Sequence, residues 1–600
     1  MGKLIKVSDF IADFLSKHKD TGNTVFMVSG GGNMHLTDSL GRNYDLEYIC
    51  NHHEQASTYA SEGYARLSNK IGLAYVTTGP GGTNAITGVY SAWVDSIPTL
   101  TISGQVKFET STASQPELNL RQLGDQEVNI IDLVKSITKY AVMITDKKSI
   151  KYHLQKAVYE AKNNRPGPVW IDIPLDIQGA MVDEDDLYDF KIPKQEEYDL
   201  KIDKVIEALK EAKRPVIIAG NGVRLSSAIP ELLKLVEGLN IPILTTMSGV
   251  DLISTSHNLF FGRPGILGER AANFIVQNSD LLIVLGTRLN LRITSFNWEY
   301  FAREAKKIMV DIDENELNKK TFIPHIKIKA DVKQFIELLI KNMNQKLNVA
   351  EWLDYCNNIR NRYPTVTEEH KMVCNYVSSY YFPLLLSKKL VRNSVIVTGN
   401  GIAYTSTFQT FKIRLGDRLF ANVGCAAMGY DIPAAIGACM ANNKKDIICL
   451  TGDGSIQMNI QEFQTIIHNK MPIKIFMYNN NGYLSIRITQ TAYFKEKFIG
   501  EGPASGVTIP DMKKLAEVYG FKIFQIANHK EADEKLDTIL AEDGPVFCEV
   551  FLDPYEKIGP KVSSFKKNDG SMQSKPLEDL APFLPRDEFL DNMIIKPIKE

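Results

Sequence analysis

At 600 residues the chain has room for about three or four domains. Its formal net charge of -2, with acids and bases evenly spread, offers no basic face for nucleic acid, and no stretch approaches the ~20 apolar residues of a membrane span. The seven cysteines are scattered without a CxxC pair, which points to buried, inert thiols in a reduced compartment. The first residues, MGKLIKVSDFIADFL, carry no long apolar core or small-residue cleavage site, and Lys6 stands where a myristoylation signal wants Ser or Thr. A cytoplasmic protein is the expectation.

The first third alternates short apolar runs with amphipathic stretches. TVFMVSGGG (Thr24 to Gly32), LEYIC (Leu46 to Cys50), GLAYVTTGPGG (Gly72 to Gly82), TLTISG (Thr99 to Gly104) and PVWIDIP (Pro168 to Pro174) read as strands, several of them entering glycine turns. A second alternation follows the charged segment PKQEEYDLKIDK: RPVIIAGNG, IPILTTMSG, DLLIVLGTR and KKIMVDID. A polar helical stretch after Asp331 leads to a third, with SVIVTGNG, DIICLTGDG, IKIFMYNN and PVFCEVFLD. Strands alternating with helices imply parallel βαβ units. The reading is therefore an α/β protein of three doubly wound parallel-sheet domains, 1–190, 191–350 and 351–600 with a C-terminal tail. No repeat is visible at the residue level.

The stretch from Leu450 to Arg487 carries the sharpest chemistry. Ile447 to Leu450 and Ile473 to Tyr478 are strands, and Asn459 and Glu462 have capping-box spacing at the start of a helix between them. A right-handed crossover lays the two strands parallel, with their carboxyl ends on one edge. Asp453 and Asn480 then meet, although 27 residues separate them. One carboxylate and one amide oxygen suit Mg2+, which shares its coordination sphere with phosphates. Gly452 and Gly454 allow close approach of the backbone, nearby helix N–H groups favour an anion, and Ser455 is taken with them as cofactor-binding. A Mg2+-bridged diphosphate is the natural occupant. The plain alternatives are a tight turn for GDGS and a hairpin-type loop for NNNG.

In this context GDGS…NN resembles the thiamine-diphosphate signature of the acetolactate synthase and pyruvate oxidase superfamily. The resemblance implies that Asp453, Asn480 and the backbone carbonyl of Gly482 hold Mg2+. It extends through NHHEQASTYASEGYAR, TTGPGGTNAITGVYSAWVDSIPTLTISGQV and GCAAMGYDIPAAIGA, over nearly the whole chain. It implies that Glu54 is the acid that activates the aminopyrimidine of the cofactor, a role favoured by burial of the carboxyl. By the same resemblance Met428 props the cofactor in its bent form, with core filler as the alternative, and Asn400 and Gly401 line the aminopyrimidine. It further implies that two copies of the chain share each site, as a homodimer or homotetramer.

The central domain carries GNG, TTMSG, FGRPG and GTRLNLRIT, a set similar to the FAD-binding domain of acetolactate synthases. Arg288 and Arg292 match the segment that contacts the dinucleotide there; solvated surface arginines are the alternative. A Met-His between that family's glycines is Arg263-Pro264 here. Other departures concern the acceptor end. Gln126 matches the glutamine of the family's FQE segment and is carried over as catalytic, but Asp125 replaces the phenylalanine before it. Leu175 stands where a lysine is usual, and Ile488 or Thr489 where a tryptophan narrows the acceptor pocket. The expected function is decarboxylation of a 2-oxo acid, pyruvate first, with transfer of the two-carbon unit to a carbonyl acceptor. A sugar-derived acceptor, a simple decarboxylase, a flavin-dependent oxidase and a catalytically silent nucleotide-binding regulator are the other readings.

Overall fold

Runs such as Ile217–Ile218 and Leu281–Leu285 are apolar at consecutive positions because parallel strands between two helix layers are buried on both faces. In the computed structural model, which describes residues 3–598 except 195, 344, 495–496 and 568, they form three parallel sheets. The N-terminal sheet has six strands in the order Glu47–Cys50, Thr21–Met27, Ile71–Val76, Thr99–Gln105, Val169–Pro174, Tyr140–Met143. The C-terminal sheet runs Arg418–Phe420, Val395–Thr398, Ile447–Gly452, Ile473–Asn479, Val546–Phe551, Lys522–Ile526. Numbered along the chain within each domain, both orders are 2-1-3-4-6-5. The central sheet has five strands in the order 2-1-3-4-5, from Ile243–Thr245 at one edge to Ile326–Lys329 at the other. The doubly wound three-domain expectation is thus met.

The strands Tyr140–Met143, Ile326–Lys329, Arg418–Phe420 and Lys522–Ile526 are absent from the sequence reading. All four lie at sheet edges; three are only partly buried, and Arg418–Phe420 is only three residues long. An edge strand needs fewer apolar residues, so its signal is diluted by lysines and other polar groups.

The N- and C-terminal domains meet through equivalent helices. Glu54–Ser68 follows the second strand of the first sheet, and Asp431–Ala441 follows the second strand of the last. They cross with almost no gap. A Cβ on Gly63 would lie 2.2 Å from the carbonyl oxygen of Ala434, and one on Gly437 would lie 1.8 Å from that of Ala60. Elsewhere the chain crosses its own domain order. Helix Ala350–Arg362 packs on the central domain, where the Trp352 indole donates to Pro215 O at 3.0 Å. The C-terminal tail does the same: Asn273 donates to Leu577 O and Gln277 to Glu578 Oε2. Among the described residues no helix is long and apolar enough to cross a membrane.

Candidate active site

Asp453 and Asn480 stand at the carboxyl ends of adjacent parallel strands, Gly452 being registered with Tyr478. The loops bring them together as the spacing predicts. The N–H groups of Asn480 and Gly482 donate to Asp453 Oδ2 at 3.2 and 3.0 Å, and that of Gly454 to Oδ1 at 2.8 Å. Burial pushes the Asp453 carboxyl up to about 6, with these N–H groups pulling it back. The amide oxygen of Asn480 is buried and has no hydrogen-bond partner among the described residues. A desolvated carboxylate beside an unpaired buried amide oxygen fits a hard divalent cation. Gly482, at φ +123°, and Gly454, packed against the Tyr483 ring, permit the tight turns. Gly452 has open space where a Cβ would stand. Ser455 faces inward: its hydroxyl donates to buried Asp431 at 2.6 Å and accepts from the Gly429 N–H.

Glu54 is the first residue of its helix, buried, with Oε2 accepting from Asn84 Nδ2 at 3.0 Å. It borders the TTGPGG turn, since a Cβ on Gly81 would lie 3.5 Å from its other oxygen. The neighbouring His53 caps the helix by accepting from the Gln55 N–H, and among the described residues no cluster of three or more His, Cys, Asp or Glu side chains could hold a metal ion. The capping box predicted at Asn459 and Glu462 does not form. Ile456–Asn459 is a 3₁₀ turn and the helix begins at Glu462. Both side chains instead cross to other segments. Glu462 accepts from Asn51 Nδ2 and the His52 N–H at 2.8 and 2.9 Å, and Asn459 donates to Gln55 and to Gly429 O. Spacing carries no sign of these long-range bonds. Met428 is 37% exposed, which removes the core-filler alternative, and Asn400 braces its loop by donating to Ala427 O at 2.6 Å. Gly401, at φ +72°, opens the helix behind it.

Comparison with known proteins decides the family. Residues 5–128 match the N-terminal TPP binding domain of thiamine pyrophosphate enzymes, 202–339 the central domain, and 399–550 the C-terminal TPP binding domain. The acetolactate synthase isozyme 2 large subunit of Escherichia coli is 31% identical over 568 residues, 93% of this chain and 97% of that protein. The acetolactate synthase large subunit of Cyanidium caldarium is 31% identical over 592 residues, 94% and 96% of the two chains. The probable acetolactate synthase large subunit of Methanocaldococcus jannaschii is 32% identical over 551 residues, 89% and 90%. The chain belongs to the acetolactate synthase family of thiamine pyrophosphate enzymes. Its activity is thiamine-diphosphate-dependent and acetolactate synthase-like. In this family member Glu54 and Met428 lie on the two domains matched as TPP-binding, and Asp453 and Asn480 lie on the second of them.

The central domain contributes a cavity of about 350 Å³ at the junction of all three domains. Gly222, Thr246, Gly286, Arg288, Arg292 and Asp311 are among its lining. Arg288 and Arg292 are therefore not simply solvated surface arginines. Arg292 stacks over the Tyr404 ring, and the wall continues through Asp95, which accepts from the Gly424 N–H at 2.9 Å. Arg263 points elsewhere. It is fully buried and paired with Glu269 at 2.9 Å.

At the acceptor end, Asp125 and Gln126 are exposed in the single chain, and Gln126 has φ +61°. The buried anchor of this loop is the next residue, which sequence reasoning missed. Glu127 accepts from Thr112 Oγ1 and the N–H groups of Leu123 and Gly124. Burial pushes its carboxyl up, but these bonds outweigh burial and hold it below its ordinary value. Of the two residues at the tryptophan position, Ile488 packs on the C-terminal core and Thr489 is exposed.

Proposed function

We infer that this chain decarboxylates a 2-oxo acid, pyruvate first, and passes the two-carbon unit to a carbonyl acceptor. The observation that carries the reading is the buried, unpaired amide oxygen of Asn480 beside the desolvated carboxylate of Asp453. These two groups, with the Gly482 carbonyl, would hold Mg2+ and through it a diphosphate. Thiamine diphosphate, when bound, supplies the electron sink for decarboxylation. Glu54 hydrogen-bonds the aminopyrimidine, and its shielding from water strengthens that bond. Met428, on the opposite domain, would support the cofactor, and Asn400 and Gly401 would line its aminopyrimidine through backbone. Gln126 stands at the approach to the reacting centre. The site is completed by a second copy of the chain, giving a homodimer or a homotetramer.

The central cavity takes FAD, with Arg288 and Arg292 on its diphosphate. A bound flavin would not be needed as an electron acceptor, because carboligation is redox-neutral overall. Purified protein should be yellow or bind added FAD, with lower occupancy in Arg292→Ala. Stoichiometric oxygen uptake would favour an oxidase instead. A polar acceptor, such as a sugar-derived carbonyl, is the second reading for the acceptor site. It is favoured by the exposed acid Asp125 and by Ser485 and Thr489 on the exposed face of helix Leu484–Phe494. Labelled pyruvate incubated with thiamine diphosphate and Mg2+, with and without polar carbonyl acceptors, tests both readings. Release of labelled CO2 is expected in each case. No decarboxylation under any condition would return the chain to a silent binding role.

A further inference from the structure

The loop carrying Asn480 and Gly482 is gripped from behind by a buried ion pair. Arg487 lies on helix Leu484–Phe494, directly after the loop, and its side chain turns back under it. Its guanidinium donates to the carbonyl oxygens of Asn480 at 3.4 Å and Asn481 at 3.1 Å, and to that of Pro554 on the segment after the last strand. Nε pairs with Glu501. Arg487 is 6% exposed and Glu501 5% exposed. Glu501 is itself held. Its backbone carbonyl accepts from the Tyr483 N–H at 2.7 Å, and its N–H donates to Ser505 Oγ at 2.9 Å. The fit is close, since a Cβ on Gly482 would stand 2.2 Å from the Glu501 carbonyl oxygen.

The loop is thus pinned on both sides. Its N–H groups at 480 and 482 point to Asp453, and its carbonyls at 480 and 481 point to Arg487. The peptide plane between Asn481 and Gly482 is held at both ends, its carbonyl by Arg487 and its N–H by Asp453, and the preceding carbonyl, that of Asn480, faces the same guanidinium. Asn481, at φ +59°, and Gly482, at φ +123°, are in conformations that such anchors must maintain. The geometry points to Arg487, backed by Glu501, as a positioning residue that preorganises Asp453, Asn480 and Gly482 for the divalent cation. This inference rests on the reading of those three groups as the cation site. A lysine does not replace it, because one ammonium cannot span carbonyls on both segments as a planar guanidinium does.

The test is the Mg2+ concentration that half-saturates thiamine diphosphate binding, followed by intrinsic fluorescence of the full-length protein without substrate. Arg487→Met should raise that concentration tenfold or more, with binding restored at high Mg2+. Arg487→Lys should fall between Arg487→Met and wild type. A lone buried Glu501 could unfold the single variant. The double variant Arg487→Met/Glu501→Gln removes both charges and should show the same shift while folded, as checked by circular dichroism. A merely structural role would lower the melting temperature and leave the Mg2+ requirement where it was. A half-saturating Mg2+ concentration within twofold of wild type in the folded double variant overturns the inference. Asp453→Asn runs in parallel. If it binds thiamine diphosphate with the wild-type Mg2+ requirement, the cation-site reading fails and the inference falls with it. If Asp453→Asn loses Mg2+-dependent binding while the Arg487 variants match wild type, only the role of Arg487 is lost.

Discussion

The N- and C-terminal domains have the same strand order, 2-1-3-4-6-5, and cross through equivalent helices, yet their loops do different chemistry. In the first domain the informative loop follows strand two and ends in Glu54, the opening residue of its helix. In the last domain strand two leads to the Met428 loop, and the acid and amide follow strands three and four. The topology decides that ligands meet the carboxyl edge of each sheet. The loop residues decide which part of a ligand is met there. One sheet offers a shielded carboxyl, the other a buried carboxylate beside an unpaired amide oxygen, the pair proposed to hold a cation. Gly63 and Gly437, reciprocal at the crossing, let the two edges come together.

The crossing itself is the most sensitive place to break this arrangement. Gly63→Val and Gly437→Val drive a side chain into a backbone carbonyl and should each destabilise the chain by about 3 kcal/mol or more, measured by thermal or urea unfolding. The control is Gly41→Ala on helix Met34–Arg42, where nothing lies within 4 Å of the added carbon. It should stabilise by about 0.5–1 kcal/mol. Similar losses at Gly41 and Gly63 would mean that the helix contact is not tight in solution.

The next comparison separates the two edges. Glu54→Gln should lower turnover by about 10²–10⁴-fold while thiamine diphosphate affinity stays within a few-fold. Asp453→Ala should do the reverse at first sight, with cofactor affinity lost and turnover recovered only in part at high cofactor and Mg2+. Titrations of both variants alongside steady-state rates check the division. Equal effects on binding and turnover in the two variants would erase it.

A smaller effect is expected at the junction between the domains. Glu462→Gln leaves one oxygen to accept from Asn51 and His52 and adds a donor facing the Asn51 amide. A loss of about 1–3 kcal/mol in stability is expected, with a modest fall in turnover. The smallest effect belongs to the exposed loop. Asp125→Phe should move the product ratio toward pyruvate self-condensation by less than about tenfold, since an exposed loop residue contributes little to stability and acts only on the acceptor. Competition between pyruvate and a polar carbonyl, with products quantified, measures that ratio.

Local patterning made the buried strands legible, because most are short apolar runs, several of them closed by glycine turns. The GDGS and NNNG turns were legible for a similar reason. Their place at the ends of neighbouring strands follows from a crossover rule that needs no coordinates. The edge strands were not legible, since they are short or carry polar and half-buried residues that interrupt the apolar pattern. Neither was the repeat of one topology in two domains, because the same strand order tolerates unrelated side chains.

The sequence by itself determined the fold class, the order of the elements, and Asp453, Asn480 and Glu54 as the residues to watch. Only the tertiary structure decided what surrounds them. Asn459 and Glu462 satisfy a local capping pattern, yet their side chains bond across the domain junction to Gln55, Asn51 and His52. Arg487 and Glu501 read as ordinary charges and are a buried pair behind the loop that carries Asn480 and Gly482. Glu127, beside the conspicuous Asp125, anchors the loop that Asp125 tops. The physical reason is common to all of them. Backbone periodicity depends on near neighbours along the chain, whereas a buried polar group takes whichever partner packing brings within about 3 Å, at any distance in sequence.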